Sequence, residues 1–385
     1  MKKVFLIFLS FICLISSLFF NAKLVKAEEE LELNATSAVL MEPITKRVIY
    51  SKNPHQKLYP ASMTKMMGLY LILEAIEEGK ISFEDEVMVS SYASSMGGTQ
   101  IYLEENEKMP LEDLFKAVCI NSANDAIVAL GEYLASSNDN FVKMMNEKAK
   151  SFGMNDTHFV NATGFDDENH YTSAYDMALL GSNLVGFGEK ILKYTSLQEG
   201  YVRENSEDPF WLVNTNKLLK YYEGMDGLKT GFTQKAGYNL TSTACRNGVR
   251  IVSTVMHLDT IAHRSQDTIR LLDYGFSKLK AVSLFSSGEV VSTFEIDESL
   301  NRYLNVYTDK EIKIIMFKEE KEEDLVVDVV LEKTCAPYVK GEIVGYCLIK
   351  TPSNYEFKYT IYALEDVESI NFFTYLLNYL KKLFV

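Results

Sequence analysis

Cysteine and histidine are scarce in this chain, five of each among 385 residues. Cys119, Cys245, Cys335 and Cys347 follow no zinc-ligand spacing. Cys335 and Cys347 would pair only if they faced each other on neighbouring strands, and scattered cysteines in a chain of this size otherwise serve as small buried hydrophobes. The histidines, at 55, 158, 170, 257 and 263, come with no G-x-S-x-G elbow, which leaves a Ser-His-acid arrangement without support. The chain also lacks a Lys/Arg-rich block. Its net charge is −14, so nucleic acid is excluded as a partner class.

The N-terminus reads as a targeting segment. Lys2 and Lys3 precede an apolar run from Val4 to Phe20, and Val25 and Ala27 are small residues placed before a cut. Residues 1–27 are therefore expected to be a secretory signal peptide cleaved after Ala27, with an uncleaved anchor as the alternative. Cys13 has no small residue before it and is not read as a lipidation site. Cleavage would remove Lys2, Lys3, Lys23 and Lys26 and no acid, taking the charge from −14 to −18. The expectation is an acidic, exported protein.

The mature chain divides by pattern into a mixed helix-and-strand domain over 28–282, a β-rich domain over 283–366 and a terminal segment, 367–385. "SAVLMEPITKRVIYSKN" reads as two strands around a turn at Glu42–Pro43. A helix is expected from about Ser62, closed by Gly79, with further helical patterns at 111–135, 139–152 and 173–187. After Gly237 two strands are joined by Arg246-Asn247-Gly248, a tight-hairpin signal, and a helix follows at about 260–276. Strands at both ends of a helical stretch suggest one antiparallel sheet with helices packed on it, an α+β arrangement. Beyond residue 283, "EVVSTFEI", "IKIIMF", "DLVVDVVLE", "EIVGYCLIK" and "FKYTIYAL" make a small all-β domain, with "KEEKEED" a solvated hairpin tip. The final stretch carries Glu365, Asp366 and Glu368 at its start and Lys381 and Lys382 near its end. It is too short to span a bilayer comfortably and suits an amphipathic helix lying on a membrane surface; docking on the protein's own core is the alternative.

One string carries chemistry. "YPASMTKMM" puts Ser62 three residues before Lys65. At the start of a helix the two side chains share a face, and the helix dipole favours negative charge developing at Ser62. Lysine is a base only when neutral, which calls for burial beside a second cation. A proton carrier to the leaving group and oxyanion donors are also needed. A second S-x-x-K occurs at Ser277–Lys280, and S-x-N is frequent, but K-T-G occurs once. The order is what informs: S-x-x-K on a helix, Ser122 and Asn124 in "NSANDA" sixty residues on, then Lys229, Thr230 and Gly231 in "GLKTGFT" beside a strand hairpin.

These strings, with "NATGFDDENHYTSAYDMALL" and "GMDGLKTGFTQKAGYNL", resemble the low-molecular-mass D-alanyl-D-alanine carboxypeptidases, penicillin-binding proteins of the S-x-x-K, S-x-N, K-T-G type. The resemblance is close over about 34–280. "VKGEIVGYCLIK" is similar to that family's second domain, and the terminal segment resembles its membrane anchor. It implies a β-lactamase/transpeptidase-like domain and an enzyme that needs neither metal nor cofactor. Its substrate would be a peptidoglycan stem peptide ending in D-Ala-D-Ala, its inhibitors β-lactams, and its place the outer face of the cytoplasmic membrane or the cell wall. Ser62 would be the nucleophile, Lys65 its base, and Ser122 a proton relay. Asn124 would orient the substrate amide or Lys65. Lys229 and Thr230 would hold the terminal carboxylate, with Gly231 beside them. The N–H groups of Ser62 and Phe232 would form the oxyanion hole, and Arg264 would help place the carboxylate. Gly97 and Gly98 resemble a loop beside the site; His170 and Asp176 suggest structural hydrogen bonding. A β-lactamase would need a water-activating carboxylate, and no E-x-x-L-N string lies between the second and third motifs. A DD-endopeptidase acting on crosslinks, or a penicillin or peptidoglycan sensor with stalled hydrolysis, would use the same residues.

Overall fold

The computed structural model describes residues 31–204, 206–296, 299 and 302–370. The expected signal peptide and all but the first four residues of the expected terminal helix lie outside these.

Five antiparallel strands form the main sheet: β1 (Ser37–Glu42), β2 (Arg47–Lys52), β3 (Met225–Thr233), β4 (Gly237–Arg246) and β5 (Val249–Leu258), in the order β2-β1-β5-β4-β3. The sheet is therefore assembled from both ends of the catalytic region, as the pattern suggested. Asn247 and Gly248 both take positive φ, which is what a two-residue hairpin between twisted strands requires. The edge strand β3, last in that order, carries the K-T-G string.

The helices lie between those ends of the sheet. A 3-10 turn, Ala61–Thr64, leads into α1 (Lys65–Glu77); α2 (Leu111–Ile120), α3 (Asn124–Ala135), α4 (Asn138–Ser151) and α5 (Ala174–Leu184) follow. Helix α1 buries Met66, Met67, Leu69, Leu71, Ile72 and Leu73. It is apolar nearly all round because other helices enclose it, the pattern of a central rather than a surface helix. Two expectations are corrected here. The α-helix begins at Lys65, with Ser62 in the tighter turn before it. The 111–135 pattern is two helices, broken at Asn121–Ala123, where Ser122 takes φ +68°.

Helix α6 (Ile261–Lys278) packs on β4 and β5, and β6 (Leu279–Phe285) begins at the very next residue. The all-β part adds β7 (Val290–Glu295), β8 (Tyr303–Tyr307), β9 (Ile312–Phe317), β10 (Val326–Leu331), β11 (Ile343–Lys350) and β12 (Glu356–Ala363). Its sheet order is β7-β8-β12-β11-β10, while β6 pairs with β9. Strands β6 and β8 were not foreseen. Both are short and largely half-exposed, so their apolar residues stand out weakly from the flanking turns.

The four described cysteines are free, and Cys347 sits on β11 opposite Val329 and Tyr359 rather than Cys335. Cys119 and Cys347 are buried, as expected of small hydrophobes, but Cys335 is exposed. Val367 and Ser369 form antiparallel bridges to Tyr338 and Ser299, so residues 367–370 are extended and not the start of a helix.

Candidate active site

The site is built where the 3-10 turn meets the edge of β3. Lys65 Nζ lies 2.9 Å from Ser62 Oγ and donates to the Thr163 carbonyl at 2.7 Å. Its side chain is shut off from water, with 0% exposure. Burial, then the charge of Lys229, hold its pKa well below the ordinary lysine value, against a partial counter-pull from Asp125. The second cation that the sequence argument called for is therefore Lys229. It is itself buried, and burial lowers its pKa to about 7; Cys119 opposes that shift and Arg264 adds to it.

Close backbone approach fixes Ser62. A Cβ on Gly164 would stand 1.9 Å from the Ala61 carbonyl oxygen, and one on Gly231 would stand 2.5 Å from that of Pro60. Either side chain would push the turn that carries Ser62 out of place. Asn239, on β4, holds the same turn from the sheet side by donating to the Tyr59 and Pro60 carbonyls.

Ser122 is buried in its left-handed conformation, and its Oγ has no hydrogen-bond partner. A buried, unpaired hydroxyl on a strained backbone is costly in free energy, the kind of cost found where a group is kept for chemistry. Asn124 donates to the Gly97 carbonyl at 2.7 Å, and a Cβ on Gly98 would stand 2.8 Å from its Nδ2. The glycine loop thus packs directly on the S-x-N motif. Asn124 makes no hydrogen bond to Lys65.

Thr230 shares a 2.7 Å hydrogen bond with Thr215. Phe232 is 48% exposed and stacks on Tyr238 with ring centroids 4.2 Å apart. Arg264, in the first turn of α6, is buried, its Nε is unpaired, and burial lowers its pKa to about 10. Lys229 and Arg264 lend the centre positive charge, suited to an anionic group, beside a Lys65 whose charged form burial disfavours.

Several contributors were not read from the sequence. Asp125 is fully buried and accepts from the Ile101, Leu103 and Ala126 N–H groups, tying the glycine loop to the start of α3. Asn161 Oδ1 accepts from the Gly164 and Phe165 N–H groups and shapes the loop that presents the Thr163 carbonyl. The adjacent Asn-Asp of "NSANDA" and the Asn-Ala-Thr-Gly run were the available signals.

His170 takes the Val160 N–H on Nδ1 and meets Thr64 Oγ1 through Nε2 at 2.8 Å. Burial lowers its pKa to about 4, so it is a neutral strut. Asp176 accepts from the Asp156 N–H and Thr157 Oγ1. The second S-x-x-K is inert in this respect: Ser277 Oγ bonds the Tyr274 carbonyl, and Lys280 pairs with Glu322. Among the described residues no His/Cys/Asp/Glu cluster could hold a metal, and no helix is long and apolar enough to cross a membrane.

Comparison with known proteins points the same way. The D-alanyl-D-alanine carboxypeptidase family profile matches residues 24–260, and that of the penicillin-binding protein 5 C-terminal domain matches 280–369. The chain is 39% identical to the D-alanyl-D-alanine carboxypeptidase DacF of Bacillus subtilis, over 91% of this chain and 90% of that one. Among solved structures, penicillin-binding protein 5 from Haemophilus influenzae superposes with a TM-score of 0.68 at 28% identity, covering 88% of this chain and 98% of that chain. Penicillin-binding protein D2 from Listeria monocytogenes, in its ampicillin-bound form, superposes with a TM-score of 0.58 at 32% identity, covering 64% and 99%.

Proposed function

The chain belongs to the D-alanyl-D-alanine carboxypeptidase family, and from that premise we propose that it removes the terminal D-alanine of peptidoglycan stem peptides through an acyl-enzyme on Ser62. It is a serine-type peptidase, a hydrolase of the cell wall acting outside the cytoplasm. The single observation behind the assignment of residues is the 2.9 Å contact between Ser62 Oγ and an amine that burial and a neighbouring cation keep from its usual charge.

In the proposed sequence the substrate lies along the open edge of β3. Lys229, Thr230 and Arg264 receive the terminal carboxylate. Lys65 takes the proton of Ser62 as its Oγ attacks the carbonyl between the two D-alanines. The N–H groups of Ser62 and Phe232 stabilise the oxyanion, the kind of contact worth about 3–4 kcal/mol per donor in the transition state. Ser122 passes a proton to the leaving amine, and water then hydrolyses the ester. Asn124, with its amide engaged by the Gly97 carbonyl, presents its oxygen to the substrate amide. Penicillins acylate Ser62 by the same attack and leave slowly. The chain acts at the outer face of the cytoplasmic membrane, held there by its terminal segment.

The test is D-alanine release from a stem-like peptide ending in D-Ala-D-Ala, with Ser62→Ala alongside. Release and penicillin labelling, both lost in the variant, are the expected result. A folded wild-type protein that takes up penicillin but frees no D-alanine would overturn the carboxypeptidase reading in favour of a sensor or a crosslink-specific endopeptidase.

A further inference from the structure

The chain has one tryptophan, and the fold leaves it in the open. Trp211 is 54% exposed. Tyr201, its partner across a two-stranded hairpin of Glu199–Val202 and Phe210–Val213, is 45% exposed. Residues directly opposite on neighbouring strands share a face, so both rings stand on the hairpin's outer side. They are not needed to seat the hairpin, because its inner side does that. Val202 and Leu212 are fully buried, and a Cβ on Gly200 would stand 3.1 Å from Ile120 and 3.2 Å from Lys116, both on α2. Two large aromatic rings left side by side in water mark a binding surface.

The chemistry of that face narrows what covers it. Glu199 lies on the same side, and its carboxylate accepts from the Trp211 indole N–H at 3.2 Å. An ionised carboxylate has several acceptor sites, so Glu199 can take hydroxyl protons as well. Glu204, Glu207 and Asp208 follow between the two strands, with Glu204 meeting Lys116 at 2.7 Å. This acidic rim repels anionic lipid and nucleic acid. A flat, neutral ligand with C–H groups on one side and hydroxyls around its edge fits. A pyranose ring lays its weakly positive C–H face on the negative face of an aromatic ring and gives its hydroxyls to the carboxylate.

The hairpin is joined to the candidate active site. Arg203, directly after the first strand, donates to the Ile101 and Tyr102 carbonyls and pairs with Glu107 at 2.6 Å. The Phe210 ring lies 6.0 Å from that of Tyr102, which is exposed. Tyr102 continues the glycine loop of Gly97 and Gly98, and that loop packs on Asn124. The aromatic face therefore borders the S-x-N side of the site.

We propose that the outer face of this hairpin is a sugar-binding platform, on which Trp211 and Tyr201 stack against pyranose rings of the glycan strand and Glu199 accepts their hydroxyls. The proposal rests on the peptidoglycan reading of the site given above. It names the form of substrate the enzyme favours, which is stems attached to sugar over free peptides.

Because Trp211 is the only tryptophan, the intrinsic fluorescence of the full chain reports on this face alone. Titration with a tetramer of β-linked N-acetylglucosamine is expected to give a saturable change in emission. Tyr201→Ala should weaken that binding by about two- to tenfold. In parallel, kcat/KM for D-alanine release is measured on a stem peptide carrying its disaccharide and on the same peptide without it. The expected ratio is about two to ten in favour of the sugar-bearing stem, falling to about one in Trp211→Ala with release from the bare peptide retained. A ratio cancels general damage to the enzyme. Emission that the sugar tetramer does not move, or that a tetralysine peptide moves as far, overturns the platform and leaves the carboxypeptidase reading standing. So does a ratio that Trp211→Ala leaves unchanged. If neither stem yields D-alanine from a protein that takes up penicillin, the carboxypeptidase reading falls and the titration alone decides the platform.

Discussion

Lys229 shows what the site demands of a single residue. Its ordinary pKa is 10.5, and in the folded chain it is about 7, mainly because of burial. The unfolded chain therefore binds more protons than the folded one across that interval, so stability rises with pH from about 7 to 10.5 and falls away toward 7. Lys229→Met, similar in length but without the titrating amine, should flatten this dependence in melting temperatures measured between those limits. Lys65 contributes in the same direction, so the slope should shrink and not vanish. An unchanged slope would show that burial does not depress the Lys229 pKa. The S-x-x-K, S-x-N and K-T-G residues were legible as strings because their spacing is local. The Thr163 carbonyl and the Asp125 anchor were not, because they reach the site through loop geometry that no periodicity encodes.

At the level of elements, pattern reading did well where a period was long and clean. Four strands of the main sheet, α4 and the Asn-Gly hairpin follow from it directly; β3 does not, because its K-T-G string reads as lying beside the hairpin and not within a strand. It failed where chemistry interrupts a period. The break between α2 and α3 puts Ser122 at φ +68°, which apolar spacing over 111–135 conceals because both helices keep their buried faces through the break. The terminal segment is a further case. Val367 is buried and bridged to Tyr338, and Ser369 is bridged to Ser299, so isolated bridges hold residues through Ser369. If the stretch beyond binds a lipid surface, truncation after Ile370 should leave the melting temperature intact and abolish cosedimentation with anionic vesicles. Vesicle binding that survives the truncation would count against the anchor.

At the scale of the whole molecule, Arg47 links the main sheet to the all-β part. Its guanidinium leaves β2, lies 4.3 Å from the Phe317 ring centroid and 4.4 Å from that of Tyr355, and donates to the Ile315 carbonyl. Its Nε and Nη1 are buried without partners, so the two rings are its main compensation. A desolvated cation–π contact is worth about 2 kcal/mol. Arg47→Ala should therefore destabilise the chain by on the order of 2 kcal/mol or more. It should also split one calorimetric transition into two, with D-alanine release retained. A single unshifted transition would show that the clamp does not couple the two parts.

With α6 ending at Lys278 and β6 starting at Leu279, no slack separates the catalytic half from the β half. An enzyme joined this way has a fixed reach. Were the terminal segment to hold the chain on a membrane, the site would work at one height above it, a height set by the length of the β half.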